Sequence, residues 1–174
     1  MCLKENITKL TKDQFTHNKT RTNICYTNEM RKKINAEIMA EVVAENKKVL
    51  KGKVVKLKAF AYDENSQDVS LLKGMPIIAR MNGMNLGIAN NNTYTIKSVA
   101  DDIIVIKDDL ERTMEIDTTQ FCRLFNVAYC ITTHCAQGLT YDHPYTIYEF
   151  NRFDLRLKYV ALSRSKKYEY INII

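Results

Sequence analysis

The sequence contains no tryptophan, only two prolines and only five glycines. Repeats and low-complexity segments are also absent, which excludes fibrous and repeat architectures. No run of apolar residues approaches the roughly 18 that a membrane-spanning helix needs. The first twenty residues lack the apolar core of a signal peptide. We therefore expect a soluble, intracellular protein.

The cysteines show neither a C-x-x-C pair nor a regular disulfide spacing, and their number is odd. They are Cys2, Cys25, Cys122, Cys130 and Cys135. This pattern favours a reducing compartment, where the thiols are buried as small apolar side chains. A zinc site formed by Cys130, His134 and Cys135 is an alternative, although the usual paired-ligand spacing is missing. We therefore predict no metal site.

A G-x-x-x-x-G-K-[ST] phosphate loop is missing from the whole sequence. The Lys51-Gly52-Lys53 run has neither the upstream glycine nor the Ser or Thr that holds magnesium. No Asp-Glu pair marks a metal-binding strand end, because Asp63-Glu64 falls where we expect an exposed turn. We therefore do not expect this chain to hydrolyse a nucleoside triphosphate by itself.

The composition suits a folded protein with a polyanionic partner. The 174 residues are 45% apolar, which is enough for a buried core. The net charge of +6 and the pI near 9.0 favour partners such as nucleic acid. Part of this charge comes from lysines that can equally form a solvated face, namely Lys47, Lys48, Lys51 and Lys53.

The first part of the chain predicts a tail, a strand and a helix. Residues 1–22 are polar and without periodicity, which is typical of a tail or a connection from an upstream segment. Residues 23–26 are β-prone. Asn28 offers a helix N-cap, and an apolar stripe recurs every four residues after it, at Met30, Ile34, Ile38 and Val42. This stripe predicts a helix that packs against a sheet.

The middle of the chain predicts a small antiparallel β module over residues 52–121. Its β-prone segments are separated by Gly, Asn and Asp clusters and lie at residues 55–61, 76–81, 94–99 and 103–106. The Asn-rich stretch 82–92 supplies residues that tolerate positive φ and therefore tight turns. We place the boundaries of the module near Lys51 and Phe121.

The last part of the chain returns to an α/β pattern. Residues 127–131 and 145–150 read as buried strands, and residues 168–174 as a closing strand. Asp154 can cap a helix between the last two. Strands that alternate with helices, interrupted once by a β module, predict an α/β fold with a mainly parallel sheet.

Two stretches carry most of the functional information. Residues 128–142 read AYCITTHCAQGLTYD, and residues 158–166 read KYVALSRSK. They resemble motifs V and VI of superfamily 1 helicases, in the branch with RecD-like and UvrD-like C-terminal domains. ICYTNEMR at residues 24–31 resembles motif IV of the same family.

The resemblance extends to the β module and implies a fold. GMPIIARMN at residues 74–82 and LGIAN at residues 86–90 are similar to the small barrel inserted in RecD-like helicases. The family fold is a RecA-like parallel sheet with helices on both faces, interrupted by an inserted small antiparallel β-barrel. Residues 23–51 and 122–174 would form the second RecA-like domain, and residues 52–121 the barrel.

The resemblance assigns nucleotide-contacting residues. It makes Arg164 the arginine finger. A guanidinium always carries charge and can stabilise the charge on the γ-phosphoryl oxygens. Without the resemblance, Arg164 would be read as an ordinary surface cation. Arg31 would supply a second cation to the γ-phosphate, and Lys32 is the other candidate for this role. Alternatively, Arg31 only pairs with a Glu of its own helix. The remaining nucleotide contacts would come from Gln137, Gly138 and Thr140. Without the resemblance, Gln137-Gly138 is an ordinary turn and Thr140 a cap.

The resemblance also assigns nucleic-acid contacts to Thr132 and His134 in the α/β part. Small barrels commonly bind single strands through basic and aromatic surfaces, which makes Arg80 and Tyr94 candidates in the β module. Phosphate and sugar contacts of this kind hold a strand without reading its sequence. Arg80, Lys97 and Lys107 are basic residues on separate β-prone segments of this module. Without the resemblance, His134 is an exposed histidine and Tyr94 fills the core.

The implied function is the C-terminal motor half of an ATP-dependent DNA helicase that translocates 5′→3′ on single-stranded DNA. ATP and Mg²⁺ would be shared with an N-terminal RecA-like domain that carries the phosphate loop. The family often has a Lys before the small residue and the Gln-Gly, whereas this chain has Cys135 followed by Ala136. The alternatives are a non-catalytic strand-binding remnant and a protein-interaction module of a replication or repair complex. The richness in Lys, Asn and Ile is typical of AT-rich genomes, including viral ones.

Overall fold

A computed structural model describes residues 11–49, 52–83 and 86–174. Over these ranges the chain separates into two compact units. We call residues 11–31 together with Cys130–Ile174 the parallel unit, and Lys32–Tyr129 the antiparallel unit. The predicted domain boundaries near Lys51 and Phe121 differ from these limits, and the division into domains stays a prediction. Lys51 itself lies outside the described ranges.

The α-helices of the described ranges are α1 (Asn28–Val49), α2 (Thr118–Leu124) and α3 (Leu155–Leu162). Helix α1 begins in the parallel unit and continues in the antiparallel unit. Within the described ranges, no helix combines the length and the apolar character that crossing a membrane requires.

The parallel unit is built on a four-stranded sheet with the order β11-β10-β1-β9. Its strands are β1 (Asn23–Cys25), β9 (Cys130–Thr132), β10 (Tyr145–Ile147) and β11 (Ile171–Ile173). All neighbouring strands run parallel, and every residue in them is buried. Short apolar runs buried in this way are typical of parallel sheets. The predicted parallel sheet is confirmed.

Helix α3 follows the predicted capping pattern. The Asp154 Oδ1 accepts a hydrogen bond of 2.7 Å from the backbone N–H of Leu157, which satisfies one of the free donors of the first turn. Leu157 and Ala161 are buried. The Tyr145 hydroxyl donates to the carbonyl of Ala161 at 2.7 Å and so fastens α3 to β10. This arrangement fixes the position of the residues that follow α3.

Part of the predicted N-terminal tail packs on the sheet of the parallel unit. Residues 1–10 lie outside the described ranges. Phe15 is buried, and Thr16 pairs with Asn172 in a parallel bridge. The carbonyl of Thr16 accepts a hydrogen bond of 2.9 Å from the N–H of Ile173. Residues 15–17 therefore cover the outer side of β11.

The N-cap of helix α1 lies one residue before the position that the sequence predicts. Thr27, and not Asn28, acts as its cap, because the Thr27 hydroxyl accepts from the N–H of Met30 at 3.2 Å. Ile34 and Ile38 of the predicted stripe are buried, whereas Met30 and Val42 are half-buried. The predicted helix is confirmed, and the two central residues of its apolar stripe are more buried than the two outer ones.

The antiparallel unit contains two antiparallel sheets. The smaller pairs β2 (Val55–Leu57) with β3 (Val69–Leu71). The larger has the order β7-β6-β5-β4-β8. Its strands are β4 (Pro76–Ala79), β5 (Thr93–Val99), β6 (Ile103–Lys107), β7 (Thr113–Asp117) and β8 (Phe125–Val127). The predicted antiparallel β module is confirmed, but β3, β7 and α2 were not predicted.

The core of this unit comes from alternating isoleucines. Ile96 of β5 faces Ile106 of β6, and Ile104 faces Ile116 of β7; all are fully buried. Complete burial of such a side chain contributes about 2 kcal/mol each. The predicted turns also occur, since Gly87 and Asn91 have positive φ; Met84 and Asn85 lie outside the described ranges.

The predicted strand at 127–131 is in fact the end of one strand and the start of another. Val127 closes β8, which pairs antiparallel with β4. Cys130 opens β9, which pairs parallel with β1. A continuous apolar run carries no mark where the chain passes from one sheet to another, so periodicity alone does not locate this division.

Candidate functional site

Arg164 follows α3 and joins the two motif-bearing stretches of the parallel unit. Its guanidinium donates to four acceptors: the carbonyls of Ala136 (3.0 Å), Leu139 (2.8 Å) and Val160 (2.7 Å) and the Ser163 hydroxyl (2.9 Å). Its own carbonyl accepts from the N–H of Tyr141 at 2.7 Å. Arg164 therefore braces the loop after β9 while remaining partly exposed.

This loop is the Gln-Gly turn, residues 133–139. It is anchored to β1 because Thr133 donates to the carbonyl of Cys25 through both its N–H (2.9 Å) and its hydroxyl (3.0 Å). Gly138 has φ +91°, a conformation that disfavours other residues. Gln137 and Gly138 are exposed. The turn thus presents Gln137 to solvent from a backbone fixed at both ends.

Thr140 lies just beyond the turn and is exposed. No helix begins within residues 140–149, so the segment after Thr140 offers no helix for it to cap. Its predicted nucleotide contact stays a prediction. The same holds for Gln137, Gly138 and Arg164, which the fold brings together as the sequence resemblance expects.

A polar cleft of about 380 Å³ lies beside this turn, within the parallel unit. Its polar walls come from the start of α1, the Gln-Gly turn and the start of α3, and contain Tyr26, Thr133, His134, Gln137, Asp154 and Arg156. Leu157 and Val160 add an apolar surface. The volume falls within the range of ligand-binding clefts. The cleft combines an aromatic ring, an imidazole and a guanidinium.

Glu149 holds the segment that carries Tyr26. Its Oε2 accepts from the N–H groups of Tyr26 (3.1 Å) and Thr27 (2.9 Å), and its Oε1 accepts from Arg152 at 2.6 Å. Burial acts to raise the pKa of this carboxyl, but the hydrogen bonds from Thr27, Tyr26 and Arg152 outweigh it and lower the pKa below its ordinary value. Glu149 is therefore ionised at neutral pH and rigidly placed.

Tyr26 is a fixed, partly open aromatic surface. The residue is 38% exposed and lines the cleft. Its ring lies 5.9 Å from the Phe153 ring, and the Arg152 guanidinium lies 5.3 Å from its centroid. These contacts restrain the ring while more than a third of the residue stays open to solvent.

Arg156 is the cation of the cleft. It is exposed on the first turn of α3, and it forms no hydrogen bond or ion pair with the described part of the chain. Asp154 is two residues away, and residues at this spacing on a helix do not face each other. The sequence analysis missed Arg156, Tyr26 and Glu149. The only signal for Glu149 is an acidic residue at the end of an otherwise apolar strand.

Arg31 is buried and Lys32 is hydrogen-bonded within the described part of the chain, and their predicted nucleotide contacts stay predictions. Arg31 is only 3% exposed, and its Nε donates to the Asn28 Oδ1 at 3.0 Å. Lys32 donates its Nζ proton to the carbonyl of Glu64 at 2.8 Å. Since a buried guanidinium does not reach a ligand in solvent, Arg31 serves the interior of the fold in this conformation.

Of the two predicted strand contacts in the parallel unit, His134 is exposed in the cleft and Thr132 is not accessible. Thr132 is 8% exposed because β9 is buried along its whole length. A direct strand contact by Thr132 is therefore not supported. The zinc alternative is not supported either, because residues 11–49, 52–83 and 86–174 contain no cluster of three metal-ligating side chains.

The two predicted strand contacts of the antiparallel unit are used internally. Arg80 pairs with Asp63 and donates to the carbonyl of Cys122 at 3.2 Å. Tyr94 is 5% exposed, packs edge-to-face on Phe125, and accepts from the N–H of Ala89 at 3.2 Å. Internal partners engage both side chains in this structure, and their predicted strand contacts stay predictions.

The cysteines follow the expectation of buried thiols. Cys25, Cys122 and Cys130 are free and buried, and Cys135 is partly exposed; Cys2 lies outside the described ranges. Burial raises the pKa of Cys122 to about 11 and that of Cys130 well above its ordinary value. These thiols therefore stay protonated and unreactive at neutral pH.

Comparison with known proteins finds similarity in structure and not in sequence. No protein-family model and no curated protein matches the chain. Bacteroides Pif1 helicase, in complex with ADP-AlF3 and single-stranded DNA, superposes with a TM-score of 0.69 at 21% identity. The match covers 98% of this chain and 47% of that one.

Two further Pif1 structures give the same result. Pif1 helicases described in DNA unwinding at forked double-stranded DNA match with a TM-score of 0.68 at 22% identity, over 98% of this chain and 45% of theirs. Pif1 from Candida albicans matches with a TM-score of 0.62 at 12% identity, over 94% and 48%. This chain thus spans about half the length of these helicases, and it has the α/β fold of their RecA-like helicase domain.

Proposed function

We propose that this chain is the second RecA-like half of an ATP-dependent superfamily 1 helicase that moves 5′→3′ along single-stranded DNA. One observation carries the proposal: the Arg164 guanidinium contacts the carbonyls of Ala136 and Leu139, on both sides of Gln137-Gly138. The motif V-like and motif VI-like stretches therefore form one surface. The fold shared with Pif1 helicases supports the same conclusion.

In this proposal Arg164 has two sets of partners. Without nucleotide, its donors point at neutral carbonyls of the Gln-Gly turn. When a partner domain brings the γ-phosphate of ATP, charged oxygens replace those carbonyls, because hydrogen bonds between ions are about twice as strong as neutral ones. Arg164 then stabilises the charge that develops during hydrolysis. Mg²⁺ would bind with the phosphate loop of the partner and neutralise phosphate charge.

This exchange links the nucleotide to the strand. The carbonyls that Arg164 releases belong to the turn that presents Gln137 in the polar cleft. Loosening or tightening that turn changes the position of Gln137 and its neighbour His134. Differential strand affinity between the two states supplies the free energy for stepping. The coupling requires no contact between Arg164 and the strand.

ATPase reconstitution tests the proposal. The chain is mixed with the phosphate-loop half of a Pif1-like helicase, and ATP hydrolysis is measured with and without single-stranded DNA. We expect turnover only when both halves and DNA are present. Arg164→Ala should lower that turnover by about 10³-fold or more while most of the strand affinity remains. Arg123→Ala, which removes an exposed arginine of α2, is the matched control and should behave like the wild type.

Undiminished turnover in Arg164→Ala would refute the arginine-finger assignment. Direction is tested separately, by unwinding of forked duplexes that carry only a 5′ or only a 3′ single-stranded tail. We expect unwinding from the 5′ tail. Strand binding with no turnover in any mixture would instead support the non-catalytic alternative.

A further inference from the structure

The polar cleft holds an aromatic ring and a guanidinium that none of the motif assignments uses. We propose that Arg156 and Tyr26 are strand-contacting residues of this cleft: Arg156 binds one backbone phosphate, and Tyr26 stacks on one unpaired base. The inference rests on the proposed function and adds the two residues that set strand affinity in the parallel unit.

Arg156 suits a phosphodiester for three reasons. It is exposed, and the described residues offer it no hydrogen bond or ion pair. A guanidinium presents a planar fork of donors that matches two phosphate oxygens. It also lines the same cleft as His134 and Gln137, which can donate to adjacent phosphate or sugar oxygens. Arg156 differs in this respect from Arg31 and Arg164, which both donate hydrogen bonds within the fold.

Tyr26 suits a base because its ring is placed in advance. Glu149 fixes its backbone, and Phe153 and Arg152 restrain its ring. Stacking on such a ring costs little side-chain entropy and does not depend on which base is present. An exposed tyrosine beside an unpaired arginine is the combination found where single strands bind without sequence preference.

The charges of the cleft favour a phosphodiester over a nucleoside triphosphate. Asp154 lines the cleft together with Arg156, and although its Oδ1 accepts from Leu157, its negative charge remains. This charge repels the several negative charges of a triphosphate more strongly than the single charge of a phosphodiester. Arg164, the residue proposed to meet the γ-phosphate, is not among the described residues that line the cleft.

Fluorescence anisotropy with a labelled oligothymidylate of about 15 nucleotides tests the proposal on the complete 174-residue chain. Arg156→Ala should weaken binding about tenfold at low salt and reduce the slope of log affinity against log salt by about 0.7, the value for one phosphate contact on a single strand. Tyr26→Leu should weaken binding about tenfold with no change in slope, because stacking releases no counterions.

The controls separate these contacts from general charge and folding effects. Arg123→Ala removes the same charge on α2, and Tyr159→Ala removes an exposed tyrosine of α3 outside the cleft. Both should bind like the wild type. Tyr26→Phe keeps the ring and should also bind normally. Thermal unfolding of each variant confirms that it is folded before its affinity is compared.

Three results would overturn the inference. The first is wild-type affinity and slope in both Arg156→Ala and Tyr26→Leu. The second is a cleft that binds labelled ATP in preference to the oligonucleotide, with that binding lost in Arg156→Ala. The third is a wild-type chain that binds no strand at low salt. None of them decides the proposed motor role, which ATPase reconstitution with the second half tests independently.

Discussion

The parallel and antiparallel units each contain an arginine and a tyrosine that suit nucleic acid by residue type, but they use them differently. In the antiparallel unit, Arg80 pairs with Asp63, and Tyr94 is buried against Phe125. In the parallel unit, Arg156 is exposed, and Tyr26 borders an open cleft. The two units therefore differ in the availability of these side chains and not in their type.

Arg164 lies between these two extremes. It is partly exposed, yet its donors are occupied by carbonyls of its own unit. An arginine of this kind can serve the fold in one state and a ligand in another. Variants that remove internal partners should therefore change stability, whereas variants of open residues should change binding. Four predictions test this division, and they are arranged from the largest expected effect on stability to the smallest.

Arg164→Ala should lower the free energy of unfolding by about 3 kcal/mol, because it removes donors to three carbonyls and one hydroxyl in a partly buried site. Urea unfolding followed by circular dichroism measures this change. Ser163→Ala is the control; it removes only one of the acceptors and should cost under about 0.5 kcal/mol. Equal stability of Arg164→Ala and the wild type would show that the brace is absent in solution.

Arg80→Ala should lower the free energy of unfolding by about 2 kcal/mol, since it leaves the half-buried Asp63 carboxylate without its cation. We expect its affinity for an oligothymidylate to equal that of the wild type. The same anisotropy titration and urea unfolding measure both quantities. A variant with normal stability and weakened strand binding would reverse the proposed difference between the units.

Glu149→Gln should lower the free energy of unfolding by about 1.5 kcal/mol at neutral pH. The reason is that a neutral amide accepts hydrogen bonds from Tyr26 and Thr27 more weakly than a carboxylate does. The hydrogen bonds lower the folded-state pKa below the ordinary value of 4.5, so this stabilisation is fully present above 4.5 and is lost as the pH falls from there through the lower folded-state pKa. Urea unfolding across this range should show a pH dependence that Glu149→Gln lacks. An identical pH dependence in both proteins would contradict the assignment.

Gly138→Ala and Gly74→Ala form a matched pair, one in each unit. Their φ angles are +91° and +89°, and an added Cβ would meet no atom within 4 Å at either position. Each should therefore cost about 1 kcal/mol of stability through backbone strain alone. Only Gly138→Ala should also reduce strand-stimulated ATPase in the reconstituted pair. Equal activity of the two variants would mean that the Gln-Gly turn has no special role.

Much of the parallel unit could be predicted from sequence, because local signals agree there. The β-prone segments at 23–26 and 168–174 contain β1 and β11, and Asp154 caps α3 as expected. The strands β3 and β7 and the helix α2 were missed. They are short, and β7 has only one fully buried residue, so their sequences carry little apolar periodicity.

The site was predictable only where a motif spans it. The motif resemblance predicted the proximity of Arg164 and Gln137-Gly138, and this proximity is observed. Composition and spacing do not show long-range partners, such as Asp63 for Arg80, which decide whether a charge is available. For the same reason, Arg156 escaped notice: its significance comes from having no such partner among the described residues.

Photo-crosslinking is the most direct measurement of where a strand binds. The chain is irradiated with an oligothymidylate that carries iodinated bases, and the crosslinked peptides are identified by mass spectrometry. We predict crosslinks at Tyr26 or within the Gln-Gly turn, because these residues border the polar cleft. Crosslinks confined to Lys32–Tyr129 would place the strand on the antiparallel unit and contradict the account.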